Sequence, residues 1–190
     1  MKKHAKKLFD ALKLVCETES VFYITTELCP AHRRVVIEQV KKRLRDGLPC
    51  RVVATQCIEA GVDLDFDSVF RALAPLESII QAAGRCNRNG RHPEGGQVLV
   101  FLPDEEKLYP DTWYEKAAML VSALHMEKPI DLMNPSDIQR YYQKLFWKLK
   151  GKKKLCEAVQ NQDYAGTEKH YRIIKNDGVQ VLVPYEPENK

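Results

Sequence analysis

The stretch "RVVATQCIEAGVDLDFDSVFRALAPLESIIQAAG", residues 51–84, decides the fold. It opens on a β-branched apolar run, residues 51–55, and reaches a second run, 68–73, through a polar connection carrying Glu59, Gly61, Asp63 and Asp65. Pro75 then starts a segment of helical spacing that runs to Gly84. A further strand, "GQVLVFLP" over 96–103, follows. Strand, helix and strand in that order predict a parallel βαβ unit, because parallel neighbours need a crossover long enough to hold a helix.

The flanks repeat the pattern. Upstream, "VFYIT" (21–25) reads as a buried strand, and Pro30 opens a helix whose Val36, Val40 and Leu44 share a face and which Gly47 ends. Before it, "AKKLFDALKLV" sets Leu8, Ala11, Leu12 and Val15 at helical spacing. The right-handed crossover rule then limits the topology to a doubly wound α/β sheet covered on both faces. Such sheets gather ligand contacts at the carboxyl ends of their strands. The loop after Thr55 and the segment after Gly84 are therefore expected at one edge.

After Pro103 the character changes. Two helices are expected in 111–127 and 135–154, the second capped by Ser136. Trp113, Trp147 and the neighbouring tyrosines fall at helical spacing and read as packing residues. "KHYRIIKNDGVQVLVP" alternates on both sides of Asn176-Asp177-Gly178 and predicts a hairpin. Residues 1–103 therefore read as one α/β lobe. Residues 104–190 read as a helical extension with a partial accessory domain.

Composition excludes several classes. The 190-residue chain is 44% hydrophobic and 29% charged, with net charge +4, which suits a globular chain. No apolar run approaches the roughly 18–20 residues of a membrane span, and the basic start lacks a secretion-signal core. Its six cysteines form no C-x-x-C pair, so a metal knuckle is not expected and a reducing cytoplasm is. The basic excess lies in 1–103, which permits a polyanionic partner.

"QAAGRCNRNG", residues 81–90, concentrates the charge of interest. Arg85 and Arg88 sit three apart, after a glycine that lets the backbone turn. A guanidinium stays charged and matches phosphate oxygens with a planar fork. On spacing alone two readings stand: a phosphate clamp, or a structural network with Asp63, Asp65 and Asp67. The turn chemistry of Asn87, Asn89 and Gly90 fits both.

The motifs themselves add a resemblance. Gln81-x-x-Gly84-Arg85-x-x-Arg88 is similar to motif VI of superfamily 2 helicases, and "VVATQCIEAGVD" to their motif V. With "TTELCPAHRR" and "GGQVLVF", the string resembles the second RecA-like domain of the CRISPR-associated helicase–nuclease of type I interference systems. Thr25-Thr26-Glu27 departs from it, standing where that family more often reads Ser-Thr-His.

The resemblance implies a RecA-like parallel sheet flanked by helices, and a role for each matched residue. Arg88 matches the arginine finger that reaches the γ-phosphate of ATP held on another lobe. Arg85 matches its companion, and Gln81 a residue near the same phosphate. Asp63 matches the motif V aspartate that contacts ribose or the finger, Gly61 permits close approach, and Gly84 completes the nucleotide side. Thr55, Thr25, Arg33 and Arg34 are the DNA-facing candidates. The chain has no G-x-x-x-x-G-K-[ST] loop, no D-E-x-[HD] segment and no His-Asp nuclease pair. ATP and Mg²⁺ are therefore expected only in a complete enzyme, with no metal site here. The implied partners are a first RecA-like lobe, a nuclease domain, single-stranded DNA and a CRISPR RNA-guided surveillance complex, all in the cytoplasm. The alternative is a non-catalytic DNA- or protein-binding module.

Overall fold

The computed structural model describes residues 2–58, 61–104, 109, 112–148, 153–171, 181 and 184. Helix α1 (Lys2–Val15) leads through a 3₁₀ turn into strand β1 (Val21–Ile24). Helix α2 (Pro30–Arg45) and strand β2 (Arg51–Ala54) follow, then strand β3 (Ser68–Ala72), helix α3 (Leu76–Ala83) and strand β4 (Gln97–Phe101). Proline at the first position starts α2, where its missing N–H costs nothing. Gly47 ends it at φ +65, with Leu48 N–H bonded back to Arg43 O at 3.0 Å.

The strands pair in parallel, as expected. β1 lies beside β2 with Ile24 opposite Ala54, and β3 beside β4 with Phe70 opposite Leu99. Among the described residues they form two separate two-stranded sheets rather than one continuous sheet. A first apolar cluster centres on Ile24 of β1, Val40 of α2 and Leu64, with Val52 and Ala54 of β2 packed against them.

A larger cluster lies beyond. Leu73, Ala74, Leu76 and Ile79 pack with Ala117, Leu120, Val121 and Leu124 of helix α4 (Thr112–Glu127) and with Tyr141 and Leu145 of helix α5 (Pro135–Lys148). Apolar burial thus runs across the 103/104 position.

The extension differs from expectation in three ways. Asn134, not Ser136, caps α5: its Oδ1 accepts Ser136 N–H at 3.0 Å, and Pro135 takes the first helical position. Two short helices were not legible, α6 (Lys153–Gln160) and α7 (Tyr164–His170), the latter capped by Asp163 Oδ1 accepting Gly166 N–H at 2.9 Å. Tyr141 is fully buried, whereas Trp147 is 90% exposed and packs little. The expected hairpin around Asn176-Asp177-Gly178 lies outside the described residues. Among the described residues no helix is long and apolar enough to cross a membrane.

Candidate functional site

Ahead of β3, acids alternate with apolar residues over 63–67. Leu64 and Phe66 turn into the first apolar cluster. Asp63, Asp65 and Asp67 take the opposite side and meet the segment that leaves α3. Backbone bonds join the two: Phe66 N–H donates to Arg85 O at 2.9 Å, and Asn87 N–H to Phe66 O at 2.8 Å.

Each aspartate then engages a basic side chain. Arg88 Nε lies 3.0 Å from Asp63 Oδ1, and Arg88 Nη1 donates to Gly84 O at 3.2 Å. Asp65, its side chain 8% exposed, accepts Arg88 N–H at 2.7 Å and Asn89 Nδ2 at 2.9 Å, and pairs with Arg91 Nε at 3.4 Å. His92 Nε2 lies 2.8 Å from Asp67 Oδ1. Asp65 is the buried pin of this arrangement, and the alternation of acids with Leu64 and Phe66 is the signal that marks it.

The loop's turn is built at an unexpected place. Gly84 sits at φ −66, open to any residue, and a Cβ there would meet only ordinary contacts. The left-handed positions are Asn87 (φ 45) and Gly90 (φ 64). Asn87 tolerates that conformation because its side chain locks the loop, donating to His92 O at 2.8 Å and accepting His92 N–H at 3.0 Å. Gly61 does use glycine's freedom, at φ +75 with open space around it.

The loop after Thr55 and the arginine segment do meet, through Asp63 and Asp65. A crossover helix returns the chain to the amino end of its strand, so the arginine segment lies beside Phe66, ahead of β3. Thr25 and Thr55 instead follow the carboxyl ends of β1 and β2, joined by Thr55 N–H donating to Ile24 O at 3.1 Å. Thr25 is fully buried, and its hydroxyl accepts Glu27 N–H at 3.1 Å, so it presents no surface in this conformation. Thr55 is half-buried, with Oγ1 3.6 Å from Cys57 Sγ. Arg33 and Arg34 lie in the first turns of α2, Arg34 the more exposed. Gln81 is exposed on α3, and Arg85 is half-buried at its end.

Chemically, the arrangement is an arginine held by a carboxylate on a polar surface. Arg88 and Asp63 are 44% and 76% exposed, so their pairing contributes roughly 0–1 kcal/mol and yields to a competing anion. The guanidinium's five donors leave capacity for that anion beyond Nε and Nη1. Among the described residues no group of three or more His, Cys, Asp or Glu is placed to hold a metal ion.

This geometry sits within a matched family. Residues 2–91 match the family "CRISPR-associated nuclease/helicase Cas3, C-terminal". Residues 2–91 are thus similar to a Cas3-type C-terminal region. It is 51% identical over 83 residues to the Cas3 nuclease/helicase of Haloferax volcanii, covering 40% of this chain and 9% of that protein. The Cas3 endonuclease/helicase of Thermus thermophilus is 30% identical over 103 residues, 50% of this chain and 11% of that one. The crystal structure of T. fusca Cas3 with ATP superposes with a TM-score of 0.60 at 18% identity, over 89% of this chain and 22% of that chain. A chain of a CRISPR RNA-guided surveillance complex, pre-nicking, gives 0.58 at 19%, over 89% and 23%. The chain thus spans about a tenth of these curated Cas3 proteins and under a quarter of the solved chains. The fold is α/β and RecA-like, shared with these solved chains.

Proposed function

We propose that the chain acts as the second RecA-like lobe of an ATP-dependent single-strand DNA translocase or helicase, supplying one wall of an ATP site that a first lobe completes. The observation that carries this reading is Arg88, held by Asp63 on an exposed loop that Asp65 pins. Arg88 is the arginine finger. Arg85 is its companion at the phosphates, and Gln81 couples the lobes nearby. Gly61, Asp63 and Gly84 form the nucleotide side. Thr55 faces the DNA backbone, with Arg33 and Arg34 at the start of α2. Thr25, fully buried just after β1, supports that edge from within.

These residues fit the phosphate end of ATP from one side only, since no phosphate loop lies in the sequence. When bound, ATP with Mg²⁺ supplies the phosphoryl group whose charge the arginines stabilise. This chain's part is to hold Arg88 ready on Asp63 and release it to the phosphate, an effect worth roughly 10³–10⁵-fold in rate where arginine fingers act. Closure of two lobes on nucleotide and their reopening would move the strand. The reading places the chain in the cytoplasm, with a first lobe, a nuclease domain, single-stranded DNA and a CRISPR RNA-guided surveillance complex as partners.

The test uses the complete enzyme. Arg88→Ala should remove most ATP turnover while leaving DNA affinity nearly intact; unchanged turnover removes Arg88 from the finger role. The 190-residue chain alone should neither hydrolyse ATP nor unwind DNA, and metal-dependent ATPase activity in it overturns the division of labour.

A second reading is a non-catalytic DNA- or protein-binding module. Met126, Met133 and Trp147, all at least 85% exposed, favour it. Steep salt dependence of single-strand DNA binding supports the DNA groove. No binding at low salt supports protein docking.

A further inference from the structure

Strand β1 is paired along one side. In a parallel ladder the N–H and C=O of one residue point to the same neighbour, and alternate residues serve opposite edges. Ile24 O accepts Thr55 N–H, so Phe22 and Ile24 serve β2, while Val21 and Tyr23 serve the other edge. Val21 N–H turns back to Thr18 O. The polar groups directed along that edge are then Val21 C=O and the N–H and C=O of Tyr23. Among the described residues no strand pairs with it.

A groove follows this edge. Tyr23 turns to one face of the strand and packs on Phe9 of α1, with ring centroids 5.2 Å apart. Phe22 turns to the other face and joins the cluster that holds Val36 and Val40 of α2. The two helices thus stand on opposite faces and wall a groove of about 700 Å³ along β1. Phe9, Phe22, Val36 and Leu48 give it an apolar lining, and Lys13 and Lys42 line it from opposite walls, with Glu19 and Asp46 as its acids.

The walls are basic well beyond the groove. Helix α1 carries five lysines against Asp10, and α2 six Lys and Arg against Glu38. Eleven cations against two acids give the pair a net charge of +9, in a chain whose total is +4. Lysines beside an open edge keep it from pairing with its own kind. A second copy of this chain would set Lys13 and Lys42 against like charge, whereas an acidic strand neutralises them. A nucleic acid would also neutralise them, but it offers no peptide ladder to Tyr23.

We propose that the β1 edge, between α1 and α2, is a docking groove for an extended acidic peptide segment of a partner protein. The segment adds a strand to β1, with apolar residues at its centre and acids on both flanks. Side chains of a strand alternate between faces, so the apolar ones meet Phe9 on one side and Phe22 on the other. Main-chain bonds to Val21 and Tyr23 supply affinity, and the basic walls select the partner. This inference does not depend on the helicase reading.

The test adds a peptide of roughly eight residues, Val and Ile at its centre and glutamate on both flanks, to the 190-residue chain. Amide exchange followed by NMR should slow about tenfold or more at Tyr23, at 1:1 stoichiometry. The same core flanked by lysine should bind at least about tenfold more weakly, as should the glutamate peptide to the Lys13→Glu, Lys42→Glu double variant. N-methylation of alternate peptide amides leaves the charge intact and removes ladder donors, so it should abolish capture in one of its two registers. Equal binding of the two peptides, or capture that survives methylation in both registers, overturns the proposal. So does an unprotected Tyr23 at about millimolar peptide. A deoxythymidine oligomer that displaces the peptide and leaves Tyr23 unprotected assigns the groove to nucleic acid and equally overturns it.

Discussion

At the residue scale, Asp65 and Gly61 carry the clearest consequences. Asp65 is almost buried and accepts from Arg88 N–H, Asn89 N–H and Asn89 Nδ2. Asp65→Ala should cost about 2–3 kcal/mol, the scale of lost bonds to a buried charge, and loosen residues 85–92. Urea unfolding and amide exchange of that segment check it. Gly61→Ala should cost about 1 kcal/mol by strain at φ +75 alone, because no neighbour lies within 4 Å of the added Cβ. An Ala variant as stable as wild type would mean the backbone there relaxes freely. The Arg85–Arg88 cluster was legible as a cluster because residue type and spacing are local. Its partner was left open between phosphate and aspartate, since which carboxylate stands opposite depends on a contact across 25 positions of sequence.

At the element scale, two junctions stand out. Gly96 leads into β4 where a Cβ would overlap Cys86 Sγ and lie 3.1 Å from Asp67 O. Gly96→Ala should therefore destabilise by about 1–3 kcal/mol and part the arginine segment from β4, readable in the melting curve. Cys86 is wedged there, and burial pushes its thiol above the usual range. The α4–α5 junction depends on Asp137, whose Oδ2 accepts Asp131 N–H at 3.1 Å. That bond, with Lys128 and Arg140 nearby, holds its carboxyl below the usual range against the opposing effect of burial. A depressed folded value contributes stability above the ordinary carboxylate pKa of about 4, lost as pH falls through and below it. Stability should drop across that window in wild type and much less in Asp137→Asn. Equal slopes in the two proteins would count against it. The strands and helices α1 to α5 were legible because their periodicity, prolines and Gly47 are local signals. Helices α6 and α7 were not, being short and highly charged, so that periodicity carries little information over so few residues.

At the scale of the whole molecule, the apolar cores matter most. The larger one runs from Leu76 and Ile79 of α3 into α4 and α5, with Tyr141 fully buried. Cutting the chain at 103 should therefore expose Leu73, Leu76 and Ile79 and leave a lobe that aggregates or melts early. A soluble, cooperative 1–103 fragment of undiminished melting temperature would show that the α/β part is independent. Tyr141→Ala should cost about 3–5 kcal/mol by the same reasoning, through cavity formation in that core.

The amino-acid sequence by itself determined the parallel α/β class, the order of the first elements and the motifs that tie this chain to the Cas3 helicase region. Those properties reside in composition, spacing and local chemistry. Only the tertiary structure decided that Arg88 rests on Asp63, that the arginine segment lies at the amino end of β3, and that Thr25 is buried. It likewise decided that Gly84 needs no special conformation. Each depends on which distant segment packs alongside, and packing is set by burial across the fold rather than by neighbours in the chain.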